Sequence, residues 1–222
     1  MAGELESLHS DEPLDARIAR HNYDRLLMLS DGVFAIAITL LALDLKLPLS
    51  WSGSLQELAD ATGRPLVGYL FGFALVGAFW VMHRRLFARL VEVDAVLTIL
   101  NLLMLGLVGL APFVARMVAE AGPGRALAIY FLVLGSVLTA GMLMRLWAAW
   151  RPRLLHPLID RRLWLQEAAL LAVGAIALLA VGGMAAVTGR PVGIVPLLLL
   201  VLGVAGGRRF LAYSQRSSTS RP

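Results

Sequence analysis

A carboxylate stands inside the first long apolar run of this chain. Asp31 follows Ser30 in the stretch Arg25-Leu-Leu-Met-Leu-Ser30-Asp31-Gly-Val-Phe-Ala-Ile36. A charged side chain deep in a bilayer costs about 2.5–3.5 kcal/mol on insertion scales, so it faces a protein partner or water. A second apolar run carries Trp80 and His83. An indole N–H donates, an imidazole donates from either nitrogen, a hydroxyl does both, and an ionised carboxylate accepts. If the two runs are adjacent antiparallel helices, Ser30, Asp31, Trp80 and His83 meet at one depth. Such a group can do two things. It can act as polar glue, the commoner role, or Asp31 and His83 can carry protons. A relay needs carboxylates spaced across the membrane, and no chain of acids leads outward from Asp31.

Past Asp31, the residues Ile36, Thr39, Leu40 and Leu43 recur at i, i+3, i+4 and i+7, which is one face of a helix. In most membrane proteins such a face meets lipid or the core. Here it carries a lone hydroxyl, on a helix whose polar anchor fixes its rotation. Around a symmetry axis, copies of this face would stack as apolar rings with one ring of hydroxyls. Constrictions of that kind can gate by dewetting. Elsewhere Arg145 and Glu167 are placed for an interhelical ion pair, and Asn101 for a hydrogen bond across helices, a contribution of roughly 0.6 kcal/mol on average.

These residues must be held by membrane-spanning helices. A helix needs about 20 apolar residues to cross the hydrocarbon, and six segments qualify: about Asp24–Lys46, Pro65–Arg89, Asp94–Ala119, Gly124–Trp150, Arg161–Thr188 and Pro191–Tyr213. Turn signals separate them at Pro48 with Ser50, at Gly122-Pro123-Gly124, at Pro152 with Pro157 and at Gly189-Arg190-Pro191. Residues Ser54–Asp60 read as a short interfacial helix, and Gly182-Gly183 as a possible helix break. The fold class is all-α, a polytopic membrane protein. Residues 1–23 form a polar N-terminal segment, 24–213 the membrane domain and 214–222 a disordered tail.

Composition agrees. Of 222 residues, 59% are hydrophobic and 16% charged, with mean hydropathy +0.76; soluble domains carry about 25% charged residues. Cysteine is absent, which excludes disulfides and thiolate metal sites. No apolar core with a cleavage site marks the N-terminus as a secretory signal. Of the 20 Lys and Arg residues, 15 fall on the side of the N-terminus, and only Lys46, Arg64, Arg116, Arg125 and Arg190 on the other. The positive-inside rule then puts both termini in the cytoplasm. In a membrane protein, the net charge of +5 reports topology rather than nucleic-acid binding.

Arg25-x-x-x-Leu29-Ser30-Asp31 resembles the R-x-x-x-F-S-D motif of the transmembrane protein 175 family, the endolysosomal potassium channel and its bacterial relatives. Phe73, Phe79-Trp80-x-x-His83 and Phe87 are similar to that family's F-W-x-x-H pattern, and Asn101-Leu-Leu with Pro112-Phe113 to its third span. The resemblance covers the first three spans. It implies a six-helix subunit that assembles as a homotetramer in the cell membrane, with the first helix lining a central potassium-permeable pore. It implies that Ile36 is the narrowest point, with Leu40 and Leu43 as further apolar layers, Thr39 as the selectivity hydroxyl and the potassium path passing Ile36 and Thr39. Arg25, Ser30, Asp31, Trp80 and His83 become a structural polar network. No cofactor, nucleic acid or soluble partner is implied beyond the lipid bilayer and the permeant ion. Leu29 departs from the motif phenylalanine.

The alternative reading is a proton-coupled transporter or proton-permeable channel using Asp31 and His83. An enzyme has no visible chemistry: H-E-x-x-H, G-x-S-x-G and a phosphate-binding glycine loop are all missing.

Overall fold

The computed structural model describes residues 13–46, 52–121 and 124–189. Among the described residues the elements are six α-helices and two short 3-10 turns. We number the helices α1 (Leu14–Leu40), α2 (Leu55–Phe87), α3 (Ala95–Gly109), α4 (Ala111–Ala121), α5 (Gly124–Trp150) and α6 (Arg161–Thr188). Among the described residues, five stretches are long and apolar enough to cross a membrane: Leu14–Leu43, Pro65–Phe87, Ala95–Val118, Arg125–Trp150 and Arg161–Thr188. The sixth expected span, Pro191–Tyr213, and the tail 214–222 lie outside the described residues, as do the turn signals at Pro48, Ser50 and Gly122-Pro123.

Several boundaries differ from the sequence reading. α1 starts at Leu14, ten residues before the expected Asp24, with Pro13 in extended geometry ahead of it. Its polar first turns suit a helix that emerges from the bilayer. At the other end a 3-10 turn, Leu41–Asp44, tightens the last carbonyls. Ser54–Asp60 is not a separate helix, because α2 runs unbroken from Leu55 through Pro65. The Ser54 hydroxyl accepts from the Glu57 N–H at 3.5 Å, and the Glu57 carboxylate accepts from the Ser52 N–H at 3.1 Å and the Ser52 hydroxyl at 2.5 Å. These bonds satisfy donors a helix start leaves open.

The third span is two helices. Pro112 has no N–H to return to the Val108 carbonyl, and the ladder breaks at Leu110 between α3 and α4. α6, by contrast, passes through Gly182-Gly183 without a break. Gly182 is there for close approach: a Cβ would stand 2.9 Å from the Ala128 carbonyl oxygen and 3.1 Å from the Leu132 backbone nitrogen. The buried positions Ala168, Leu171, Ala175, Leu178, Gly182 and Ala185 alternate spacings of three and four, the seam by which α6 packs along α5. α6 then stops at Gly189, whose φ of 66° carries the left-handed cap.

α1 packs on α2 and α3, while α3 and α4 pack on α5. The core is therefore shared between an N-terminal helix group and the α5–α6 hairpin. A backbone bridge ties the two at one end of the bundle: Val91 N–H donates to the Leu154 carbonyl at 2.9 Å, and His156 N–H to the Arg89 carbonyl at 3.0 Å.

Candidate functional site

Rotation of α1 is set by its buried stripe. Leu26, Ser30, Phe34 and Ala37 are buried, and Leu41 continues the line. The residues of the expected constriction lie roughly a third of a turn away, at about 100° per residue. Ile36 is 59% exposed, Leu40 41% and Leu43 62%, with Thr39 exposed between them. Arg25 and Leu29, both exposed, extend this face toward the N-terminus at the same spacing of three and four. Thr39 Oγ1 lies 3.0 Å from the carbonyl oxygens of both Ala35 and Ile36. Its hydrogen is directed back into the helix, which leaves the oxygen's lone pairs outward.

The polar residues meet at one depth but as two groups. Trp80 Nε1–H donates to Asp31 Oδ1 at 2.7 Å, and the Arg84 guanidinium sits 5.1 Å from the Trp80 ring centre. Separately, Ser30 donates to the Leu26 carbonyl at 2.7 Å and accepts from Asn101 Nδ2 at 3.0 Å. The Asn101 carbonyl oxygen lies 2.7 Å from His83 Nε2, so that nitrogen carries the hydrogen. Ser30, Asn101 and His83 are almost wholly buried. Phe34 and Phe87 flank the imidazole, with ring centres 5.5 and 4.4 Å away.

The single four-residue cluster expected from sequence is thus divided. Successive residues on a helix point about 100° apart. Ser30 consequently faces α3 while Asp31 reaches α2, and Asn101 supplies the link to His83 that Asp31 does not. Arg25 joins neither group, because it stands on the exposed stripe rather than beside Asp31.

Toward the bridged end of the bundle, Arg145 and Glu167 approach at 3.9 Å, as the sequence suggested. The tighter partner is Arg89, whose Nη1 lies 2.7 Å from both Glu167 oxygens. Sequence reading had used Arg89 only for topology. It also missed Tyr23, whose hydroxyl donates to the Phe87 carbonyl at 2.6 Å, and Asp94, whose carboxylate accepts from Leu97 N–H and from the Trp147 indole. Asp94-x-x-Leu97 was legible as a helix cap; the Trp147 partner was not. Among the described residues, no group of three or more His, Asp or Glu gathers to hold a metal ion.

Among the described residues, five long apolar helices, with Ser30, Asn101 and His83 bonded to one another inside the bundle, define a polytopic helical membrane protein. The family model described as the endosomal/lysosomal potassium channel TMEM175 matches residues 25–112, less than half of the chain, and over that region the chain is similar to the transmembrane protein 175 family. This is a family of ion channels, not of enzymes. A potassium channel of Streptomyces collinus is 42% identical over 92 residues, 41% of this chain and 45% of the relative. A potassium channel of Chamaesiphon minutus is 37% identical over 100 residues, 43% of this chain and 49% of the relative. The human endosomal/lysosomal proton channel TMEM175 is 36% identical over 98 residues, 40% of this chain and 19% of the relative. The aligned part is thus less than half of each relative. In fold, the chain is similar to a crystal structure of the potassium channel MtTMEM175, a variant bound to a nanobody–MBP fusion, with TM-score 0.55, 19% identity and coverage of 89% and 94% of the two chains.

Proposed function

We propose that this chain is the subunit of a cation channel, passive and potassium-permeable, assembled as a homotetramer in the cell membrane with both termini cytoplasmic. The observation that carries the reading is the exposed stripe of α1. The face a third of a turn away is locked by Ser30, Phe34, Ala37 and Leu41, yet Ile36, Leu40 and Leu43 remain open to a neighbour or an axis. Four such stripes facing one another make a narrow apolar throat at Ile36 that water leaves readily. Thr39 sets a ring of outward oxygen lone pairs one turn further along, suited to a partly dehydrated potassium ion. The two hydrogen-bonded groups anchored on Ser30 and Asp31 hold the helix in that rotation. Some of the relatives are named as potassium channels and others as proton channels, and the choice of potassium is the proposal's own.

In liposomes, wild-type protein should pass potassium down its gradient with no coupled substrate. Ile36→Asn should wet the throat and raise flux at least severalfold, and unchanged flux would remove Ile36 from the pore. The second reading, proton permeation through Asp31 and His83, draws on the relatives named as proton channels. The two groups containing these residues share no hydrogen bond that would pass a proton between them. A proton flux abolished by His83→Gln with potassium flux intact would favour that reading.

A further inference from the structure

At the end of the bundle where α5 gives way to α6, one guanidinium is held by two indoles. Arg151 lies 5.2 Å from the Trp147 ring centre and 5.3 Å from that of Trp150, and the two rings meet edge to face at 5.2 Å. The platform is itself fixed, because the Trp147 N–H is bonded to Asp94 at 3.0 and 3.1 Å. A cation over an indole face is stabilised there without losing its outward N–H donors. Arg151 nonetheless remains exposed.

Its neighbours are apolar where an aqueous surface would be polar. Trp150 is 67% exposed and Leu158, at the tip of the connecting loop, is 86% exposed. The loop that presents Leu158 is pinned by the bridge to residues 89–91. The remaining charges nearby are mostly positive. Arg161 and Arg162 are exposed at the start of α6, Arg153 is 3.4 Å from Glu92, and Asp160 caps α6 through the Arg162 N–H. Trp at the bilayer boundary places its ring at the headgroup level, and guanidinium binds phosphate through paired donors.

We propose that this end of the α5–α6 hairpin binds the headgroup of an anionic phospholipid, with Arg151 on the phosphate and Trp150 and Leu158 seated at the hydrocarbon boundary. A free phosphate would use the arginine and leave the two apolar side chains in water. The lipid uses all three, which is why it is the occupant. The proposal does not depend on the conduction reading.

The test is thermal melting of the full chain in micelles titrated with phosphatidylglycerol, phosphatidylcholine or inorganic phosphate. Phosphatidylglycerol should raise the melting temperature of the wild type, and the other two should not. Arg151→Gln should raise the half-saturating phosphatidylglycerol concentration about fivefold, as expected for one basic side chain at an anionic surface. Arg17→Gln, on the polar first turns of α1, should leave it unchanged. Equal shifts with the two lipids, an unmoved half-saturation in Arg151→Gln, or the same shift from inorganic phosphate would each overturn the proposal. A second measurement does not depend on how the variant folds. Brominated phosphatidylglycerol should quench wild-type tryptophan fluorescence more than brominated phosphatidylcholine, and Trp150→Phe should abolish the difference. No difference in the wild type would overturn the proposal.

Discussion

Replacing Asn101 by leucine removes the link between α1 and α2 that runs through α3. Leucine has the same number of side-chain heavy atoms but is larger, so no cavity forms and any overpacking adds to the cost of the lost bonds. Two consequences follow from the geometry. Ser30 loses a donor at 3.0 Å but still gives its own hydrogen to Leu26, so it is not orphaned. His83 loses its partner at 2.7 Å and is held between Phe34 and Phe87, which prevents it from turning to another. A buried donor left unsatisfied costs about 1–3 kcal/mol. Ser30→Ala leaves His83 paired and removes one contact of Asn101, at roughly 0.6 kcal/mol, typical of a hydrogen bond between membrane helices. The expected order is therefore Asn101→Leu well above Ser30→Ala. The double variant should cost about as much as Asn101→Leu alone, because the second change removes a bond already lost. Reversible unfolding in mixed micelles measures all three. Asn101→Leu within about 0.5 kcal/mol of wild type, or full additivity of the pair, would refute the network.

Other outcomes follow from single contacts. Trp80→Phe removes the indole donor to Asp31 and should cost about 0.5–1.5 kcal/mol in the same assay; no loss would mean the bond is idle. Gly182→Ala places a methyl 2.9 Å from the Ala128 carbonyl and should destabilise by about 1–3 kcal/mol, whereas Gly183→Ala meets nothing within 4 Å and should be neutral or stabilising by up to about 1 kcal/mol. Equal effects at the two glycines would contradict the close α5–α6 seam. Glu167→Gln weakens charge-assisted bonds worth about 1.5–3 kcal/mol, with a loss expected toward the low end because Arg89 and Glu167 are each about a third exposed. The Glu57 carboxylate is held below the usual range by its bonds from Ser52. Its contribution is complete above the ordinary carboxylate pKa and fades as pH falls through the lowered folded value. Amide protection at the start of α2, measured against the intrinsic exchange rate at each pH, should therefore fall in acid, and Glu57→Gln should remove that pH dependence.

The spans and the face of α1 were legible because length, apolar content and helical period are local properties. Asp31 and Trp80 could be paired because an acid in an apolar run demands a donor and the antiparallel geometry offers one at that depth. What sequence could not supply was direction. Ser30 and Asp31 are neighbours in the chain but face different helices, so only the packed structure sends one to Asn101 and the other to Trp80. Gly182 read as a break because glycine is a poor helix former, yet packing against the Ala128 carbonyl outweighs that preference. Pro65 and Pro112 show the same limit from the other side. α2 absorbs one, and the third span breaks just before the other.

The central claim is that copies of α1 meet at Ile36 around an ion path. The chain has no cysteine, so Ile36→Cys introduces its single thiol. In proteoliposomes, cadmium ions should block the potassium flux of this variant, a chelator should restore it, and the wild type should be insensitive. Potassium flux through Ile36→Cys that persists unchanged in cadmium, with the thiol modified only by lipid-soluble reagents, would place Ile36 against the bilayer and contradict the account.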